Sequence, residues 1–240
     1  MAKYTRYPEL LSPNGWCPGC GYGIFTRLLY EVIEEKGLSQ KHVYVGGVGC
    51  NSNLYGALEG GNKIECHHGR APVCANGVKA MLPDTFVFTI QGDGDSYAIG
   101  MGETIIAAHN NFPITVFAIN NANYGMTGGQ TAPTTLPGQI TTTSPHGREG
   151  KPFDIIPQLR ALDVAYCARG TTASLSEIIK LKKYIAKAID LQMKERQYAF
   201  VETLSPCPTN WHKGVMESNE WILNNTVKYL PLGEYERKED

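Results

Sequence analysis

Residues 85–130 read TFVFTIQGDGDSYAIGMGETIIAAHNNFPITVFAINNANYGMTGGQ, and this stretch decides the fold. Two runs in it, 85–90 and 114–119, are almost continuously apolar rather than alternating. That is the pattern of strands in a parallel sheet covered on both faces. Between them, residues 97–110 read as a helix. In open α/β sheets ligands lie beyond the carboxyl ends of the strands. Here those ends carry Gly92-Asp93-Gly94-Asp95 and Asn120-Asn121. A glycine turn lets backbone N–H groups approach phosphate oxygens, and the following helix N-terminus adds partial positive charge. Free carboxylates there would repel a diphosphate. The conflict disappears if one carboxylate holds Mg²⁺, which takes hard oxygen ligands and shares its shell with phosphate. Asp93 and Asn121, at the ends of neighbouring strands, therefore point to a Mg²⁺–diphosphate site. Taken alone, the same residues also fit two ordinary polar turns.

Outward from this stretch the chain keeps alternating. A helix is expected over 21–36, a strand over 42–48, and a helix over 71–81 stopped by Pro83. After a loop at 121–151 rich in Gly, Thr and Pro come a helix at 153–161 and a strand at 164–168. Ser174 with Glu177 has the form of a capping box opening a helix to about residue 194, followed by a strand at 198–204. The fold class is α/β, a doubly wound, mostly parallel sheet. The expected division is a cofactor domain at 1–204 and a tail at 205–240. A loop as long as 121–151 inside a compact domain is usually functional.

The chain has 240 residues, 42% of them hydrophobic, enough for one globular core. A net charge of −1 gives no bulk attraction to nucleic acid or to a membrane. No run is long and apolar enough to span a bilayer, and residues 1–16 lack the apolar centre of a signal peptide. A cytoplasmic location is the expectation. Seven cysteines, an odd number, argue against a disulfide framework in such a compartment. Cys17 and Cys20 form a CxxC, while Cys50 and Cys207 lie in turns after expected strands. Four such thiolates could complete a [4Fe–4S] cluster or a Cys₄ zinc site. Cys74 and Cys167 are expected to be buried, Cys66 has no assigned setting, and His67 and His109 read as structural or surface residues.

The Gly-Asp-Gly turn followed by paired asparagines resembles the thiamine-diphosphate signature. A nearby thiamine cofactor favours iron–sulfur over zinc, since zinc accepts no electrons. The resemblance extends over nearly the whole chain, through WCPGCGYG (16–23), VGCN (48–51), HHGRAPVCANGVK (67–79), QGDGDSYAIG (91–100), the run 119–148 and LSPCPTNW (204–211). Together these resemble the β subunit of a 2-oxoacid:ferredoxin oxidoreductase. TAPTTLPGQ, SPCPTNW and the terminal YLPLGEY look most like the branched-chain (2-oxoisovalerate) type.

The resemblance implies the thiamine-diphosphate diphosphate-domain fold and the cofactors thiamine diphosphate, Mg²⁺ and one [4Fe–4S] cluster. Mg²⁺ would be held by Asp93, Asn121 and the backbone carbonyl of Asn123. The cluster would be held by Cys17, Cys20, Cys50 and Cys207. Val48, Gly49, Cys50, Asn51, His68, Gly94, Asp95, Gly125 and Met126 would contact the cofactor. Asn51 departs from the serine common at its position. Candidates for the substrate carboxylate are Arg70, Thr127, His146, Arg148 and Lys151, although the last three also suit a solvated polar turn. Trp16 and Trp211 either shield the cluster or pack an interface.

The implied activity is CoA-dependent oxidative decarboxylation of a 2-oxoacid to acyl-CoA and CO₂, with electrons passing to ferredoxin. No activating glutamate can be placed in the chain. It is expected on an α subunit carrying the pyrimidine-binding domain, with or without γ and δ subunits. Competing readings are a 2-oxoglutarate or pyruvate type, a non-redox thiamine decarboxylase or carboligase subunit, and a non-catalytic electron-transfer module.

Overall fold

The computed structural model describes residues 7–12, 15–59 and 62–237. The reading of residues 1–16 as lacking a signal core therefore lies partly outside the described residues. In chain order the elements are α1 (Gly21–Glu35), β1 (His42–Gly46), α2 (Asn53–Ala57), β2 (Asn62–Glu65), α3 (Ala71–Met81), β3 (Phe86–Gly92), α4 (Met101–His109) and β4 (Thr115–Asn120). They continue as α5 (Ile156–Ala161), β5 (Tyr166–Thr171), α6 (Leu175–Asp190), β6 (Ala199–Leu204), α7 (Pro208–Trp211), α8 (Val215–Trp221) and β7 (Gly233–Glu236). The sheet runs β2-β1-β3-β4-β6-β5-β7, parallel throughout except for the antiparallel edge strand β7.

The uninterrupted hydrophobicity of the central strands has a direct cause. Along β3, Phe86, Phe88 and Ile90 face one core and Val87 the other. The first core is closed by α1 and α6, the second by α3, α4 and α5. Side chains alternate between faces along a strand, so covering both faces demands apolar residues at every position. α1 repeats Phe25, Leu28, Leu29, Val32 and Ile33 at helical spacing, and all five are buried. The chain turns away at Gly37, whose φ of +68° suits glycine after a helix. On α6 the Ser174 hydroxyl accepts from the Glu177 N–H at 3.4 Å, the cap expected from sequence.

The structure departs from the expected elements at several points. The helix expected at 97–110 begins only at Met101, because residues Asp95–Ile99 form a π-helical turn that closes against the Gly69 backbone. The helix expected from 153 begins at Ile156, where the Asp154 carboxylate caps the Ile156 N–H at 3.0 Å. α6 gives way to a π-helical turn after Asp190. β2 and β7 were not anticipated. The tail after residue 204 passes through α7 and α8 and returns as β7 beside β5.

One buried charge group lies under the sheet ends. Arg169 on β5 is fully buried, with Nε 2.5 Å from Glu202 Oε2 and Nη2 2.6 Å from Asp154 Oδ1. Burial opposes its charge, but Glu202 and Asp154 outweigh that and keep the guanidinium protonated. Glu202 Oε1 accepts from the Tyr97 hydroxyl at 3.0 Å and from Asn120 Nδ2 at 2.8 Å. Arg169→Leu would strand Glu202 as an uncompensated buried carboxylate. It is expected to cost about 3–5 kcal/mol in urea denaturation; a loss below about 1 kcal/mol would contradict this account.

His42 gives a second test. It is buried, with Nδ1 3.1 Å from Leu38 O and its ring against Tyr30 and Phe88. Burial holds its pKa below the ordinary 6.5. The unfolded chain then takes up the proton more readily than the folded one. The contribution to stability is present above that ordinary value and is lost as pH falls through the lower folded value. His42→Phe is expected to flatten the fall in urea midpoint between about pH 7 and about pH 5. Parallel curves for parent and variant would contradict the assignment.

Candidate functional site

β3 and β4 pair in parallel with Gly92 opposite Ile119, so the residues that follow emerge at adjacent strand tips. Asp93 is 2% exposed, and its carboxylate accepts a hydrogen bond from the Thr134 hydroxyl. Burial pushes its pKa up to about 7 against the opposing hydrogen bonds from Thr134 and Gly94. Beyond β4, Ala122 adopts φ +57° and its N–H donates to Asn120 Oδ1 at 3.0 Å. The Asn123 N–H donates to Asn121 Oδ1 at 3.3 Å, and Asn123 Nδ2 donates to Asn121 O at 2.7 Å. Asn120, tied to Glu202, thus anchors the turn that carries Asn121 and Asn123.

The residues from these tips share one cavity of about 230 Å³. Val48, Gly49 and Cys50 enter from the turn after β1, His68 from the loop before α3, and Gly94 and Asp95 from the turn after β3. Asn121, Asn123, Gly125, Met126 and Thr127 enter from the loop after β4, beside Asp93. Two larger hollows, of about 480 Å³ beside Arg160 and about 520 Å³ between β2 and α3, hold none of these groups. Asp95 Oδ1 lies 2.6 Å from His68 Nδ1 and accepts from the Gly69 N–H at 2.6 Å. Burial raises the Asp95 pKa, and the Gly69 hydrogen bond and His68 oppose the rise. Asn51 lies behind the wall, fully buried, with Nδ2 donating to Gly47 O at 3.0 Å and Oδ1 unpartnered.

The four candidate cluster thiols are neighbours. Burial pushes Cys20 up to about 12, and Cys207, Cys50 and Cys17 add to the rise. Cys50 is pushed up to about 11 by burial, then by Cys207, Cys17 and Asp93. Cys20 N–H donates to Cys17 O at 3.0 Å, and Gly19 turns at φ +78° against Val215 of α8. Trp16 Nε1 donates to Cys50 O at 2.8 Å and Trp211 Nε1 to Asn121 O at 3.1 Å. All seven cysteines are free. Cys167 is buried in β5, whereas Cys74, expected to be buried, is only half-buried on α3.

These donor sets fit the groups anticipated from sequence. A nearly buried carboxylate whose neighbours are amide oxygens suits a hard cation. Four thiols gathered in one place suit a soft metal centre, which holds them as thiolates. Among the described residues, no three His, Cys, Asp or Glu side chains already form a metal cage. Amide and phosphate oxygens would have to complete the first set, and closure around a metal the second.

The substrate candidates divide. Thr127 lines the cavity, its hydroxyl donating to Gln130 Oε1 at 2.5 Å. Arg70 pairs with Glu103 instead. Arg148 donates to Thr135 O and, at 3.1 Å, to Lys151 O, so it staples its own loop. His146 and Lys151 are exposed, and neither lines the cavity. The loop turns them outward because Thr142 N–H bonds Gly129 O at 3.1 Å and Gly138 N–H bonds Arg148 O at 2.8 Å. Sequence reasoning missed Tyr22 and Tyr124 in the wall, Thr134 on Asp93, and Asn210 beside Cys207. Tyr22 beside the CxxC and Tyr124 between Asn123 and Gly125 had a nearby signal, and Thr134 and Asn210 lie within segments that carried the resemblance.

Residues 47–203 match the family described as thiamine pyrophosphate enzyme, C-terminal TPP binding domain. The chain is 37% identical over 222 residues to ketoisovalerate oxidoreductase subunit VorA of Methanothermobacter thermautotrophicus, covering 90% of this chain and 46% of that one. It therefore spans about half the length of that relative. Over 231 residues it is 36% identical to 2-oxoglutarate synthase subunit KorB of Methanothermobacter marburgensis, covering 94% of this chain and 78% of that one. It also superposes on a 2-oxoglutarate:ferredoxin oxidoreductase from Magnetococcus marinus, solved with 2-oxoglutarate, coenzyme A and succinyl-CoA bound. That match has a TM-score of 0.78 and 25% identity, covering 99% of this chain and 87% of that one.

The wall predicts a contrast between glycines. A Cβ on Gly47 would collide with the Asp95 carboxylate, whereas one on Gly102 in α4 meets nothing within 4 Å. Gly47→Ala is expected to destabilise the chain by about 1–3 kcal/mol. Gly102→Ala is expected to stabilise it by up to about 1 kcal/mol. Thermal melts check both, and equal melting of the two variants would contradict the packing described.

Proposed function

The chain belongs to the thiamine-pyrophosphate-binding β subunits of the 2-oxoacid:ferredoxin oxidoreductases, and on that premise we propose that it is the diphosphate-binding half of an enzyme oxidising a 2-oxoacid. That enzyme forms acyl-CoA and CO₂ and passes electrons to ferredoxin. The observation that carries the proposal is that Asp93, Asn121 and Cys50 open onto one cavity.

When bound, thiamine diphosphate supplies carbanion chemistry and a [4Fe–4S] cluster supplies a one-electron outlet. Asp93, Asn121 and the Asn123 carbonyl would hold Mg²⁺, the counter-charge for the diphosphate. Val48, Gly49, Gly94, Gly125 and Met126 shape the wall, and the glycines let the backbone come close. His68, beside Asp95, offers its ring as a polar contact, and Asn51 braces the wall from behind. Cys17, Cys20, Cys50 and Cys207 would hold the cluster, with Cys50 belonging to both sites. Thr127 offers a hydroxyl to the substrate. A zinc centre on the same thiols would leave the reaction without an electron outlet, which favours iron–sulfur over the non-redox reading.

The lining of the cavity includes no glutamate among the described residues. This supports an α subunit that brings the activating glutamate and the pyrimidine-binding domain, with γ and δ subunits as further candidates. We assign residues 205–240 to the fourth thiol and to subunit contacts. Among the described residues no helix is long and apolar enough to cross a membrane; cytoplasmic location is part of the proposal. The substrate proposed is a branched-chain 2-oxoacid, on the segments TAPTTLPGQ, SPCPTNW and YLPLGEY. 2-Oxoglutarate is the second reading, favoured by the relatives that carry its name at nearly equal identity.

The complex, co-purified without oxygen, is expected to be brown and to reduce methyl viologen with CoA, fastest on 2-oxoisovalerate among 2-oxoisovalerate, 2-oxoglutarate, pyruvate and indolepyruvate. Colourless, iron-free protein would overturn the redox reading. Faster turnover of 2-oxoglutarate would replace the substrate. Asp93→Ala is expected to lower thiamine diphosphate retention at least about tenfold while iron content stays unchanged. Equal retention would leave only an electron-transfer module.

A further inference from the structure

Asn210 lies in α7, three residues beyond Cys207. Its side-chain Nδ2 is 3.6 Å from Cys207 Sγ, 3.3 Å from Asn123 Oδ1 and 3.0 Å from Gly125 O. An amide nitrogen has two hydrogens, so these three acceptors share them. The Cys207 thiol itself reaches Asn123 Oδ1 at 4.0 Å. The side chain is boxed in: Gly129, at φ +82°, packs so closely that a Cβ there would lie 3.1 Å from Asn210 Cβ. Asn123 is in turn bound to Asn121 through two hydrogen bonds. One carboxamide therefore touches a thiol of the proposed cluster and two groups of the loop that would carry the cation and cofactor.

Resting on the function proposed above, we propose that Asn210 is a positioning residue that couples the two centres. It donates to the Cys207 sulfur and ties that bond to the state of the Asn121–Gly125 loop. Reduction of a cluster adds negative charge to its sulfurs. A donor to a ligand sulfur favours the reduced form and raises the midpoint potential. Because the same hydrogens also serve Asn123 and Gly125, filling the diphosphate site changes what the sulfur receives. By linkage, cluster reduction changes cofactor affinity by the same factor. The coupling places the electron outlet under the control of cofactor occupancy, with no covalent change in Asn210.

The test uses the whole complex, purified without oxygen, carrying Asn210→Leu or Asn210→Asp. Iron and sulfide are assayed first. The cluster midpoint is then titrated by electron paramagnetic resonance with thiamine diphosphate and Mg²⁺ present and after their removal. Both variants are expected to keep their iron and to titrate below the parent. Asn210→Asp should lie lower than Asn210→Leu, because it replaces a donor with negative charge. In the parent, cofactor removal is expected to move the midpoint. In the variants that movement should fall to roughly half or less, the signature of a broken coupling.

If Asn210→Leu disturbs packing and loses iron, the near-isosteric Asn210→Asp carries the test. Iron loss from both variants would show a purely structural role and overturn the inference. A parent without iron would overturn the cluster reading and this inference with it. A parent with iron, whose midpoint neither variant moves, would overturn the inference alone.

Discussion

The site depends on the parallel pairing of β3 with β4. With Gly92 opposite Ile119, both chains leave the sheet at the same level, and each continues into a polar turn. A slip of one residue would turn every side chain of one strand to the opposite face and exchange the two cores. The pairing is set by the fit of each face to its own set of helices, since both faces are apolar. The carboxylate of Asp93 and the carboxamide of Asn121 come together as a consequence of core packing. Between the strands, Gly94 and the π-helical turn at Asp95–Ile99 bring the backbone close where side chains would obstruct it.

The second dependence is electrostatic. Asp93 is nearly buried and its neighbour Glu202 raises its pKa further, while Arg169 is committed to Glu202 and Asp154. A carboxylate in that position gains from a cation and loses without one. The thiols show the same logic, since burial and mutual repulsion push Cys20 and Cys50 toward the neutral form that binds metal least well. Trp16 links Cys50 to the segment before the CxxC, Trp211 links α7 to Asn121, and Ser205 N–H bonds Asn120 O at 2.8 Å. Strand tips, thiols and the Asn121–Gly125 loop are one hydrogen-bonded body.

Much of the fold was legible because its signals were strong. α3 spans the expected residues, with Pro83 closing it, and the strands β3, β4 and β6 follow their apolar runs to within two residues. β2, of sequence NKIE, escaped because an exposed edge strand of four residues needs no apolar pattern. β7, of sequence GEYE, escaped because its charged residues face solvent and Lys187. In the site, the glycine turns, His68 and the cysteines were readable from local chemistry. Arg70 and Arg148 are candidates for the substrate carboxylate, and sequence does not reveal that Glu103 and backbone carbonyls hold them in this chain. Thr134 and Asn210 reach the site only through tertiary folding of the loops after β4 and β6, which no spacing rule anticipates, whereas Tyr124 enters with its neighbours Asn123 and Gly125.

The most direct measurement of the central claim is an anomalous-diffraction map at the iron edge. It requires crystals of the complex grown without oxygen and with thiamine diphosphate and Mg²⁺. The account predicts one compact iron peak enclosed by Cys17, Cys20, Cys50 and Cys207 and, in the ordinary electron density of the same crystals, a magnesium ion between Asp93 and Asn121. Four sulfurs without iron, or a diphosphate bound away from Asp93, would contradict it.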